Sequence, residues 1–273
     1  MTRAGLVLVG LVLLGGLFGP VLLPLDPVTQ ELPLRLAAPS WAHPFGLDEL
    51  GRDILARLLA GARISLLVGL VVVSVSVAVG VTLGSIAGYF GGVVDDAISR
   101  VIDVLLAFPG LLLAIAMVAV LGPSLTNVVL ALSVIGWVGY ARLVRGHVLR
   151  AREWDFVQAA RALGASSTRI LVRHILPGAL PAITVQATLG MGAAILSEAS
   201  LSFLGLGVQP PSPSWGTMLN NGRVHLLDAP HLTLFPGIAI ALLVLGFNFL
   251  GDGLRDRLDP HNRGDRKDLT LPG

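Results

Sequence analysis

Cysteine is absent from all 273 residues, and lysine occurs once, at Lys267. The first absence excludes disulfides and thiolate metal sites. The second excludes a glycine-rich phosphate loop ending in Gly-Lys-Ser or Gly-Lys-Thr, so the chain is not expected to hydrolyse nucleotides itself. Charge is scarce too: charged residues make up 13% of the chain against 54% hydrophobic, and mean hydropathy is +0.81. So little polar surface could not cover a water-soluble globule, and a multispanning membrane protein follows. The histidines His43, His147, His174, His225, His231 and His261 are scattered, with no His-x-x-x-His pair and no acidic cluster at metal-ligand spacing. Ser74 and Ser76 lie in an apolar run, but no such run offers a histidine base. Neither a metal site nor a catalytic constellation is expected.

What is present is a series of apolar runs long enough to cross a bilayer core about 30 Å thick, which takes roughly 20 helical residues. Six occur, at about 4–23, 64–87, 104–121, 128–143, 180–201 and 234–250. They divide the chain into an N-terminal span (1–25), a segment on the far side (26–63), a five-helix core (64–256) with a polar loop at 144–179, and a tail (257–273). Arg3 before an apolar stretch also fits a cleaved signal, with Ala37 and Ala38 near a cleavage point, but the run exceeds a usual signal core. Basic residues favour the cytoplasmic side. With the N-terminus inside, 14 of the 19 cationic residues are cytoplasmic, including Arg100, the series from Arg142 to Arg173, and Arg255, Arg257, Arg263, Arg266 and Lys267. Arg35, Arg52, Arg57, Arg63 and Arg223 remain outside, and both termini are inside.

The polar loop contains a short predicted helix. Asp155 and Gln158 have the spacing of an N-cap and its reciprocal partner, which starts the helix near Phe156, and Gly164 stands where a left-handed residue would stop it. Ser166 or Ser167 then caps a second helix carrying Arg169 and Arg173, and Pro177 bends or restarts the chain at the fifth span. The predicted exposed face is Phe156, Ala160 and Leu163. On these residues alone, a connector resting on anionic headgroups and a protein-docking helix both stay open, although Ala159 and Ala160 permit close approach of another protein.

Beyond the fifth span, glycines and Pro210, Pro211 and Pro213 favour a stiff, turning path that serves either as a rigid cap or as a partner contact. Trp215 reads as an interfacial anchor or as a recognition residue, and the enrichment of aromatics at the membrane boundary favours the anchor. Glu198 is expected near water at the end of the fifth span, where a local hydrogen-bonding role is favoured over a role in transport. Arg100 and Asp103 are spaced to pair on one helical face, and Asp252, Arg255 and Asp256 allow the same.

Ala159, Ala160, Gly164, Leu176 and Pro177 fall in register with a Glu-Ala-Ala, three residues, Gly, nine residues, Ile-x-Leu-Pro pattern. That loop resembles the one shared by permease subunits of bacterial binding-protein-dependent ABC importers, with Gln158 in place of Glu and His174 in place of Ile. Three further stretches resemble the C-type subunit of the dipeptide, oligopeptide and nickel group. They are His43-Pro-Phe-Gly-Leu-Asp-Glu-Leu-Gly-Arg-Asp53, in which Leu47 replaces a usual Thr, the stretch from Glu198 to Gly216, and Gly251-Asp-Gly-Leu-Arg-Asp-Arg-Leu-Asp-Pro260.

The resemblance implies an all-α, six-helix type I importer permease (MetI-like) fold in the bacterial inner membrane. It implies a non-catalytic subunit working by alternating access, paired with a homologous B-type permease so that the path lies at their interface. Two cytoplasmic ATPases would carry ATP and Mg, an extracytoplasmic binding protein would deliver peptide, and neither a cofactor nor nucleic acid is expected on this chain. Contact with the ATPases would fall on Asp155, Phe156, Gln158, Ala159, Ala160, Arg161 and Gly164, with His174, Leu176 and Pro177 at the loop exit. Gly46, Asp48, Gly51, Arg52, Asp53, Phe203, Gly205, Pro210, Pro211, Trp215 and Gly216 would face the receptor or form the outer gate. Nickel chelates and glutathione are alternative cargoes on the same scaffold. An ion-driven carrier is less favoured, because no ionisable residue or broken helix is expected near the midplane.

Overall fold

The computed structural model describes residues 2–22 and 26–258, and all regular elements among them are helical apart from one isolated bridge between Leu47 and Asp53. In chain order the helices are α1 (Thr2–Leu22), α2 (Ile54–Phe90), α3 (Gly92–Leu106), α4 (Gly110–Leu121), α5 (Leu125–Ala151), α6 (Asp155–Ala162), α7 (Ser167–Ile170), α8 (Leu176–Phe203), α9 (Trp215–Gly222) and α10 (His231–Leu258). A π-helical turn, Leu171–Ile175, joins α7 to α8 without a break. The tail cations Arg263, Arg266 and Lys267 lie outside the described residues.

Helices close their backbone hydrogen bonds internally, as a lipid environment requires. α1, α2, α5, the continuous stretch Ser167–Phe203 and α10 are each long and apolar enough to cross a membrane. The expected third span differs: α3 and α4 meet at 86°, so 104–121 is not one straight helix. Pro109 is the cause, because its ring cannot extend a helix and it pushes Phe108 out of the helical region. α3 carries Asp95, Asp96, Arg100 and Asp103 and buries only Ile102, whereas α4 is wholly apolar. The chain therefore does contain a broken helix, contrary to expectation.

The second span begins at Ile54, ten residues before the apolar run at 64. Arg57 and Arg63 lie inside the helix because both are satisfied. Arg57 is buried beside Asp48 and donates to the Pro27 carbonyl at 3.0 Å, and Arg63 donates to the Gly16 and Leu17 carbonyls of α1. At 37 residues α2 extends about 55 Å, well beyond a bilayer core.

The helix α2 lies against α5 along a seam of small residues. A side chain at Gly80 would come within 2.6 Å of the Trp137 carbonyl oxygen, one at Gly88 within 2.9 Å of that of Arg145, and one at Gly84 would strike that of Ala141. This four-residue spacing lets two backbones touch where lipid offers no hydrophobic driving force between helices. Beyond the seam, toward the start of α2, Val68, Val72, Ala114, Val118, Val128 and Leu201 form one buried cluster. At the α9 end a second cluster joins Ile54, Ala62, Ile195, Trp215, Leu232 and Leu243. At the α6 end a third joins Val144, Val148, Val157, Ile170, Ile175 and Ile183. α1 is packed along α10, with Gly5 against Gly246 and Leu250.

The anticipated Arg100–Asp103 pair does not form, since both side chains are exposed to competing solvent. The ion pair at this end is instead bidentate between α3 and α5, from Arg145 to Asp95, with Nη2 to Oδ2 at 2.7 Å. Asp252, Arg255 and Asp256 are likewise exposed, and no ion pair joins them among the described residues.

Replacing Gly84 with leucine should destabilise the protein by about 1–3 kcal/mol or more, because its side chain meets backbone that cannot yield. Thermal unfolding in detergent checks this. Thr82→Leu, at an exposed position on the same helix, should leave the midpoint within about 1 °C; equal effects from the two would refute the seam.

Candidate functional site

At the α6 end, the helix starts one residue earlier than predicted. Trp154 is the N-cap, and no side chain makes a capping bond. Asp155 therefore does not cap, but it sits in the first turn where its charge complements the helix dipole. The turn through Glu153 and Trp154 displaces the start, with Trp154 N–H donating to the Ala151 carbonyl. The Gln158 amide donates to the Arg152 carbonyl at 2.9 Å, tying α6 back to the end of α5. A glutamate, having no N–H, could not make this bond.

The stop matches the sequence reading. Gly164 has φ +80°, its N–H donates to Arg161, and Ala165 N–H donates to Ala160. Together these form a Schellman ending, whose left-handed position favours glycine. Ser166 caps α7 through the Arg169 N–H.

The division of faces was only partly foreseen. Val157 is fully buried among Val148, Ile170 and Ile175, and Ala160 is half-buried beside it. The free face is Phe156, Ala159 and Leu163, and Phe156 and Leu163 are 51% and 89% exposed. Arg161 is exposed but its guanidinium lies 5.6 Å from the centre of the Tyr89 ring at the end of α2.

A chain of rings links α6 to both neighbours: His147 on α5 meets Trp154, Trp154 meets Phe156, and Phe156 lies 6.5 Å from His174 in the π-helical turn. That turn sits just before Pro177, which lacks an N–H and whose ring would strike a carbonyl one turn back. Widening absorbs the clash, and Leu176 N–H reaches back to the Leu171 carbonyl. Leu176 packs on the Val157 cluster. Pro177 thus reshapes the helix without interrupting it. Sequence reasoning missed Val157, Trp154, His147 and Tyr89, although an apolar Val157–Ala160 spacing inside a polar helix was a readable signal.

At the opposite end, residues 26–53 fold around the Asp48 carboxylate. It accepts from the Leu50 and Arg52 N–H groups and from Arg52 Nε at 2.6 Å, with Arg57 Nε at 3.4 Å. Glu49 bridges Arg52 and Asn221. Asp53 caps α2 through the Ala56 N–H and holds His43 at 2.9 Å. Gly46, Asp48, Gly51, Arg52 and Asp53 are all buried within the chain.

Trp215 is also buried, not interfacial: it is 1% exposed, donates from Nε1 to the Leu58 carbonyl at 2.9 Å, and lies over Gly61. Gly216 is pressed against the Ala199 carbonyl of α8. Glu198 is fully buried, so water does not reach it, while its hydrogen-bonding role is as read: Ser202 of α8 donates at 2.6 Å and Ser65 of α2 lies at 3.4 Å. Gly205, Pro210 and Pro211 are exposed, and Phe203 is partly covered, with Arg223 5.7 Å from its ring centre. Trp41, which no sequence signal singled out, is fully exposed on the same end.

The profile of the family described as the inner membrane component of binding-protein-dependent transport systems matches residues 80–264, the stretch from the glycine seam through α6 to α10. The chain belongs to that family. This permease is 49% identical over 256 residues to the dipeptide transport system permease protein DppC of Alkalihalophilus pseudofirmus, covering 94% of this chain and 84% of the relative. It is 53% identical over 226 residues to the glutathione transport system permease protein GsiD of Escherichia coli, covering 83% and 75%. Two inward-facing structures of the MetNI methionine ABC transporter share its fold, with TM-scores of 0.57 and 0.60 at 19% identity, covering 73% and 74% of this chain and 94% and 96% of theirs. It is a multi-pass inner-membrane permease of an ATP-driven importer.

Asp48→Ala should destabilise the permease by about 3–5 kcal/mol, because Arg52 and Arg57 would be left buried without their acceptor. Limited proteolysis should then cut within residues 26–53 ahead of any other site. Unchanged cleavage would show that this carboxylate does not organise the cap.

Proposed function

We propose that this permease forms one half of a peptide importer and that α6 is the surface on which a cytoplasmic ATPase docks. One observation carries the docking role. α6 turns an apolar face, Phe156, Ala159 and Leu163, away from the body while Val157 anchors it from behind. A helix held on one side and bare on the other passes a push through Val157, the ring chain and the π-helical turn into α8. Arg150, Arg152, Arg169 and Arg173 surround it, which supports a cytoplasmic position for α6 and hence for both termini.

The pairing is with a homologous second permease, and the path lies between the two. ATP and Mg are held by two partner ATPases, and an extracytoplasmic binding protein delivers cargo to the α9 end, where Trp41, Gly205, Pro210 and Pro211 are exposed. Dipeptides or oligopeptides are the favoured cargo, since a relative named for dipeptide transport aligns along 94% of the chain. Glutathione is the second reading, favoured by the higher identity to the glutathione permease.

Ala159→Glu places a charge on the bare face without touching the core. In the purified assembly it should lower cargo-stimulated ATP hydrolysis roughly tenfold, the effect of about 1.4 kcal/mol of lost contact, and weaken copurification of the ATPases while the unfolding midpoint holds. Normal stimulated hydrolysis in this variant would sink the docking role.

A further inference from the structure

Midway along the bundle, α2, α4, α5 and α8 line a partly open cavity of about 290 Å³. Its wall is aliphatic except for Ser76, Tyr140, Gln186 and Ser197, and among the described residues no charged one contributes. Two glycines make room for the polar groups on this wall: a side chain at Gly136 would strike the Ser76 hydroxyl, and one at Gly190 would strike the Tyr140 hydroxyl. That volume places it at the lower end of small-ligand sites.

The polar groups on this wall are underused. Ser76 is 1% exposed, and its hydroxyl has no hydrogen-bond partner within the described residues. A buried unpaired hydroxyl destabilises the fold, and alanine would fill the position without that cost. The Gln186 carboxamide, halfway along the stretch Ser167–Phe203, is exposed and makes no side-chain hydrogen bond among the described residues. The Tyr140 hydroxyl makes only a 3.3 Å contact, to the Gln186 backbone carbonyl.

We infer that this cavity is a transient subsite for the main-chain amide of a translocating peptide, read by Ser76 and Gln186. A carboxamide donates and accepts side by side, which matches the C=O and N–H of a peptide unit; a serine hydroxyl also does both. Without a charge on the wall, the subsite reads the amide common to all peptides and ignores their side chains. The inference rests on the peptide-importer reading and deepens it: the receptor selects the cargo, and this wall admits only what carries an amide.

The test uses the complete transporter with its binding protein in liposomes, supplied with radiolabelled dialanine, dialanine methylated at the peptide nitrogen, and glutathione. Ser76→Ala removes no intramolecular bond and so should fold normally. It should lower dialanine uptake about threefold, and Gln186→Leu about fivefold, the scale of one lost hydrogen bond. The methylated analogue keeps its C=O but has no N–H, so it should lose less uptake than dialanine in both variants, and the preference for dialanine should narrow. A benzophenone side chain at Ala193, on the same wall, should capture dialanine during turnover. Uptake ratios unchanged in both variants, or capture of lipid alone at Ala193, would overturn the subsite while leaving the importer reading intact. A wild-type assembly that hydrolyses ATP yet accumulates neither dialanine nor glutathione would overturn the peptide reading and the subsite with it.

Discussion

The backbone contact between α2 and α5 is the constraint on which the rest of the permease depends. Three glycines four residues apart let the two backbones touch over about two turns, and a touching pair has no room to slide by fractions of a turn. α2 reaches both ends of the molecule. At one end it is capped by Asp53 and overlaid by Trp215; at the other, Tyr89 lies beside Arg161 and the Gly88 carbonyl accepts from Arg152. Whatever moves α6 therefore acts on a helix whose far end is fixed into the opposite cap.

The two ends are built differently. At the α9 end the charges are buried and mutually satisfied, and a buried pair tolerates little rearrangement because separating it leaves a bare charge. Glu198 extends the same logic by holding α2 and α8 together through two hydroxyls. At the α6 end the polar contacts are half-exposed and the helix is two turns long. Motion at low cost belongs at this end.

Much of this was legible in the sequence. Apolar runs located five spans, because the bilayer imposes a length and the chain complies. The Gly164 stop and the Ser166 cap were legible because each satisfies a local backbone need. What escaped depended on contacts far apart in sequence. The 104–121 run hid a right-angled break, since apolar residues on both sides of Pro109 outweighed it in any average. Arg57 and Arg63 concealed ten residues of α2, because their partners, Asp48, Pro27 and α1, are invisible to a scan along the chain. Asp48, Arg52 and Trp215 are interior, and their polar atoms are held there by partners distant from the motif each belongs to, among them Arg57 and the Leu58 carbonyl. The glycine seam could have been found from spacing alone, yet its partner helix could not.

The π-helical turn before α8 has a geometric effect that reaches the middle of the membrane. A wide turn accommodates one residue more than an α-turn, and each residue of an α-helix advances about 100° around the axis. Every side chain beyond Leu176 is thereby offset by about that angle from where an uninterrupted helix rising from Ser167 would carry it. The azimuth of Gln186 is consequently dictated some ten residues earlier, beside α6, by a proline that never approaches the cavity.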